Sequence, residues 1–169
     1  MIRGLILGLL LTAIAFPAQA QDTQEKRSGD LTEREKAFQD TMTDAVLVGT
    51  FRMLNENGLS DSHDEAYTIA GVKKIHGENW IVESRIQYME KDITVPIPIK
   101  LYWIEDTPVI SVTDLLIPGA GTYTSRVQVY RGCYAGTWFG KGYGGTLSGR
   151  IWPRAEWEKM KQRIAGDKD

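Results

Sequence analysis

Cysteine is nearly absent from this 169-residue chain: Cys133 stands alone. One thiol excludes a disulfide framework within the chain, and the reading for Cys133 is a small buried hydrophobe. Histidine is almost as scarce, with only His63 and His76. Neither has a cysteine or a second histidine at zinc-ligand spacing. Both are expected in turns, where nothing fixes a tautomer or excludes water, so a Ser-His-Asp hydrolase finds no support. Charge of one sign is lacking too. Twenty Lys and Arg face 22 Asp and Glu, a formal charge of −2. That balance argues against nucleic acid and anionic membrane as partners.

Three weaker chemical signals fall away on inspection. The loop Asp61-Ser62-His63-Asp64-Glu65 gathers three acids and an imidazole but does not follow the order of an EF-hand, and is read as a solvated acidic loop. Glu105, Asp106 and Asp114 could supply a carboxylate pair for glycoside chemistry, yet their neighbourhood reads as a turn and a strand face. The glycine-rich run Gly140–Gly145 joins two expected strands, whereas a phosphate cradle needs a passage from strand to helix. No catalytic residue, metal ligand or cofactor is assigned.

Long apolar runs are missing except at the start. Arg3 precedes an apolar stretch from Gly4 to Phe16, then Pro17 and the small-x-small tripeptide Ala18-Gln19-Ala20. This is the pattern of a secretory signal peptide over residues 1–20, with cleavage expected after Ala20. The run is shorter than the roughly 20 residues that span a bilayer, so no integral membrane segment is expected after cleavage. The product is exported, to a periplasm or to the medium. Residues 21–31 are polar and read as a disordered lead. The rest, 32–165, has the size of one domain with a core of its own.

Within that domain the period changes twice. Thr32-Glu33-Arg34-Glu35 fits a capping box and predicts a helix over 33–42, with Phe38 and Met42 on one face. From Ala45 to Trp152 the apolar period is two, the signature of strands. Expected strands are Ala45–Leu54, Tyr67–Ile75, Trp80–Tyr88, Ile93–Glu105, Val109–Leu116, Thr122–Tyr130, Cys133–Phe139 and Thr146–Trp152. Pro153 suits the first turn of a final helix, on which Trp157, Met160 and Ile164 form one apolar stripe.

Eight strands joined by short loops predict an all-β antiparallel meander closing into a small barrel, with a two-sheet sandwich as the alternative. Pro96 and Pro98 qualify the closure. Lying two apart, both lack an N–H on the same side of their strand, which is tolerable only at an edge or a gap. Either the barrel is split beside this strand or the object is the two-sheet sandwich.

The segment Tyr134-Ala135-Gly136-Thr137-Trp138 resembles the Gly-x-Trp signature of the lipocalin and avidin-like barrels, the calycins. The resemblance implies a barrel holding a small, often apolar ligand. It departs in position, since those families carry the motif on the first strand and here it lies on the seventh. Lipocalins also pack an arginine across the tryptophan. Centring the last hairpin on Gly142-Tyr143 sets Leu147 opposite Trp138 and puts Arg150 on the other face. Across the whole chain, Asp106-Thr107-Pro108-Val109-Ile110 and Gly144-Gly145 with Gly149-Arg150-Ile151 resemble an exported bacterial protein family, which implies compartment and not activity.

Function then rests on the aromatics. Trp80, Tyr88, Trp103, Tyr123 and Trp138 share the inward parity. They either plug the core, the commoner use of such residues, or line a lumen for a small apolar or planar ligand. A non-enzymatic ligand-binding barrel ranks first. An envelope or surface interaction module ranks second, using a protein partner at the Pro96/Pro98 edge or an exposed patch of Tyr102, Tyr134 and Tyr143. An enzyme ranks last.

Overall fold

The structure is a computed structural model that describes residues 31–88, 91–117 and 121–166; the side chains of residues 86–93, 165 and 166 are outside that description. The expected signal peptide, and the lead up to residue 30, lie outside the described residues. Leu31, at the end of that lead, packs on the core.

Helix α1 (Glu33–Met42) begins as its capping box requires. The Glu35 backbone N–H donates to the Thr32 hydroxyl (3.3 Å), and the Thr32 N–H donates to the Glu35 carboxylate (2.8 Å). Nine strands follow: β1 (Ala45–Asn55), β2 (Gly58–Leu59), β3 (His63–His76), β4 (Asn79–Tyr88), β5 (Lys91–Ile104), β6 (Thr107–Ile117), β7 (Gly121–Tyr130), β8 (Cys133–Gly140) and β9 (Tyr143–Pro153). Helix α2 (Arg154–Gly166) ends the described chain. Apart from the two-residue β2, which only extends the β1 hairpin, each strand pairs antiparallel with the next. The ladder from Ala45↔Pro153 to Met53↔Gly145 joins β1 to β9 and closes an eight-stranded barrel.

Two-residue turns account for the short connections. Arg131 and Gly132 both take positive φ (50° and 72°) between β7 and β8, and Gly142 (φ 78°) follows Lys141 between β8 and β9. The last hairpin is thus centred one residue earlier than the sequence suggests. Trp138 faces Gly145, and Leu147 faces Gly136. The shift is two along the partner strand, so parity is preserved. Arg150 points outward, with its guanidinium 4.6 Å from the Trp152 ring centre and away from Trp138.

The expected split is present. The β5–β6 ladder runs only from Ile104↔Thr107 to Lys100↔Ser111, although β4 follows β5 through Pro98, Pro96 and on to Lys91. Strand β6 leaves β5 at a bulge between Val112 and Leu115, where Asp114 takes φ 50°. Among the described residues no strand pairs with the gap side of Pro96 and Pro98, so neither proline removes a ladder bond there.

Other expectations need correction. The acidic loop is shorter than read: β3 begins at His63, so His63 and Glu65 are strand residues. Cys133 is exposed, not buried, because it lies on the outward parity opposite Tyr130 and Arg150. Pro153 closes β9 instead of opening the helix. Tyr134 is 2 % exposed and turned inward, so it forms no surface patch with Tyr102 and Tyr143.

The two helices do different work. α1 stoppers one end of the barrel, the proximal end. Phe38 sets its ring edge-on between Trp80 (5.7 Å) and Trp103 (6.5 Å), and Met42 is buried beside Ala45 and Leu47. Burying each such side chain contributes about 1.5–3 kcal/mol. Polar ties hold the stopper in place. Lys74 donates to Glu35 (2.6 Å), Gln39 to the Val72 carbonyl (2.7 Å), and Arg34 to the Glu105 carbonyl (3.3 Å). α2 braces the outer wall at β1 and β9, where the Trp157 ring meets Trp152 at 6.4 Å. The end of its stripe, Ile164, is exposed.

Candidate functional site

The inward-facing residues divide the barrel interior along its axis. Proximal positions such as Leu47, Ile69, Val82, Ile99 and Leu101 are buried, with Tyr67, Trp103, Ile110 and Val127 half-exposed. Distal positions on the same parity are different. Val95, Ile97, Leu115, Tyr123, Trp138 and Leu147 keep part of their surface open to solvent, whereas Phe51 is buried. The distal part of the interior, here termed the cup, is less fully covered than the proximal core.

Between the two halves lies a buried carboxylate. Glu65, on β3 opposite Gly49 of β1, is 4 % exposed. Tyr67 donates its hydroxyl to one carboxylate oxygen (2.6 Å), and Tyr134 donates to the other (3.0 Å). Tyr134 belongs to β8, two strands away around the closure. Its ring reaches β3 by lying over Gly149 of β9 and Gly49 of β1, which pair with each other. A Cβ on Gly149 would stand 2.7 Å from the phenol ring, and one on Gly49 would stand 2.5 Å from its hydroxyl. The glycines are therefore what gives the phenol its path. Burial pushes the Glu65 carboxyl above its ordinary pKa, and the two tyrosine donors only partly oppose this. The Tyr134 hydroxyl is pushed up in turn, by burial first and then by the charge and hydrogen bond of Glu65.

Above this floor the cup wall is aromatic. The Trp138 ring lies 6.0 Å from Phe51, 6.2 Å from Tyr123 and 5.8 Å from Tyr143. The Tyr143 hydroxyl bonds to that of Tyr123 at 3.1 Å. His63 stacks on Phe51 at 5.1 Å. Edge-to-face pairs at these separations are mutually favourable.

Of the five residues singled out in the sequence, Tyr123 and Trp138 meet in the cup. Trp80 and Trp103 meet instead around Phe38, and Trp80, 1 % exposed, is part of the proximal core. Tyr88 pairs with Glu65 in the β3–β4 ladder, but its side chain lies outside the described residues. Sequence reasoning missed Glu65, Tyr134 and Phe51. Glu65 shares the parity of Tyr67 and Ile69, and that alternation was the available signal.

Among the described residues neither histidine bonds to a carboxylate; His76 Nδ1 lies 3.4 Å from the Asn79 side-chain nitrogen. Among them, too, no group of three His, Cys, Asp or Glu side chains could hold a metal ion. An open groove of about 540 Å³ runs outside the barrel between α1 and the β3–β4 hairpin, and no aromatic side chain lines it. Comparison with protein-family models, with curated proteins and with solved structures gives no match.

Proposed function

We propose that the protein, exported through its signal peptide, binds one small, planar and largely apolar molecule in the distal cup, without chemistry upon it. The observation that carries this reading is the contrast along the barrel. Most side chains of the inward parity are buried near α1, whereas beyond Glu65 most, Phe51 apart, stay partly open to solvent. An eight-stranded barrel has an interior just wide enough to be filled by side chains or to hold one small ligand. This barrel does the first in one half, and in the other most inward side chains stay partly open, which supports the second. Trp138, Tyr123 and Phe51 offer flat apolar faces, while Tyr67 and Glu65 offer the few polar atoms such sites use for orientation.

The test is titration with N-phenyl-1-naphthylamine, an uncharged planar probe that brightens in apolar surroundings. Saturable brightening is expected, and Trp138→Ala weakens it about tenfold or more by removing the central face. No brightening, or an unchanged midpoint in the variant, overturns the reading.

A further inference from the structure

The gap between β5 and β6 opens beside the cup, and its construction is specific. On one side Pro96 and Pro98 stand exposed, and neither can donate to a neighbouring strand. On the other side β6 is tied back to β7. Arg126 donates to the Val112 carbonyl (2.6 Å) and to the Thr113 hydroxyl (3.1 Å). The Asp114 backbone N–H donates to the Thr124 hydroxyl (3.0 Å), which donates in return to the Asp114 carboxylate (3.2 Å). The strand pair is thus prevented from closing from both sides. Behind the gap, the inward-facing Val95, Ile97 and Leu115 are apolar and half-exposed.

At the barrel end itself, aromatic rings crowd the opening. Rings from β1, β3, β7, β8 and β9 interlock there, and the bond between Tyr143 and Tyr123 spans from β9 to β7. We propose that the β5–β6 gap is a lateral doorway, through which an apolar ligand enters and leaves the cup. This rests on the reading that the cup holds a ligand.

A barrier on the route changes the entry and exit rates by one factor and leaves the equilibrium alone. Pro96→Cys and Lys141→Cys are each made in a Cys133→Ser background, since Cys133 is exposed. Each is labelled with biotin-maleimide, and N-phenyl-1-naphthylamine kinetics are followed by stopped flow with and without streptavidin. Comparison within one variant cancels any effect of the substitution on folding. Streptavidin at position 96 is expected to slow association and dissociation alike, by about tenfold or more, with Kd unchanged. At position 141, on the turn at the barrel end, it is expected to change neither. Unchanged rates at 96, or slowing at 141 alone, overturn the doorway and leave the cup standing. Failure of the unmodified protein to take up the probe removes both proposals.

Discussion

The two halves of the barrel use the same strands, the same parity and much the same amino acids, yet only one is finished as a core. The difference is a single helix. Proximally, α1 delivers Phe38 and Met42 into the opening, so that Trp80 is enclosed on every side. Distally, aromatic rings lean on one another, no helix lies beneath them among the described residues, and Trp138 stays half-exposed. Closing a meander into a barrel satisfies the strand edges. It does not by itself fill the interior, and whatever the ends of the chain leave unfilled is available for a ligand.

The sharpest way to break this comparison is to truncate one tryptophan in each half. Trp80→Ala removes a fully buried ring against which Phe38 packs, and is expected to lose about 3–5 kcal/mol of unfolding free energy in urea titrations. Trp138→Ala, the substitution that weakens probe binding, is expected to lose clearly less, about 1 kcal/mol, because its ring already meets solvent. Comparable losses at the two sites would mean that the distal half is a core after all.

A second test addresses the boundary layer. An alanine at Gly49 would place its Cβ 2.1 Å from the Ser148 carbonyl oxygen and 2.5 Å from the Tyr134 hydroxyl. Backbone on one side and a buried phenol on the other leave it nowhere to go. Gly49→Ala is expected to destabilise by about 1–3 kcal/mol. Gly71→Ala, on the neighbouring strand, meets nothing closer than the Glu83 carboxylate at 3.9 Å and is expected to be near neutral. If the two melt together, the Tyr134–Glu65 layer is softer than its geometry implies.

Much of this architecture was legible in the residues. The capping box fixed α1 to the residue, and the period-two run from Ala45 to Trp152 carried every barrel strand. Pro96 and Pro98 marked the gap, since a missing N–H restricts a strand wherever it is placed. The site was harder to read because it depends on closure. Glu65 lies near His63 and Asp64 in sequence and looks like their companion, but its partner Tyr134 is 69 residues away. Only the β1–β9 ladder, and the two glycines facing each other across it, bring them together. Likewise parity placed Trp80 and Trp138 on one face, while nothing in their spacing says that α1 covers the first and not the second.

The gentlest test uses the two buried glutamates, Glu35 on α1 and Glu65 between the halves, whose environments oppose each other. Burial works against the charge of Glu35, but the Lys74 hydrogen bond, the Thr32 donors and the Lys74 charge outweigh it, so its pKa falls below the ordinary 4.5. Its contribution to stability is therefore present above that value and is lost as the pH falls through the lowered one. At Glu65 burial prevails over Tyr67 and Tyr134, and the pKa rises. That contribution is present below 4.5 and is lost as the pH climbs through the raised value, which leaves a penalty at neutrality. Glu35→Gln should then lower stability at about pH 7 by roughly 1–2 kcal/mol, with the loss fading in acid. Glu65→Gln should raise the melting temperature slightly at about pH 7, with the gain also fading in acid. Melting curves of the three proteins across that range decide it. A neutral-pH loss in Glu65→Gln would show that the tyrosines hold an ionised carboxylate, and the floor of the cup would then carry a charge that a ligand must answer.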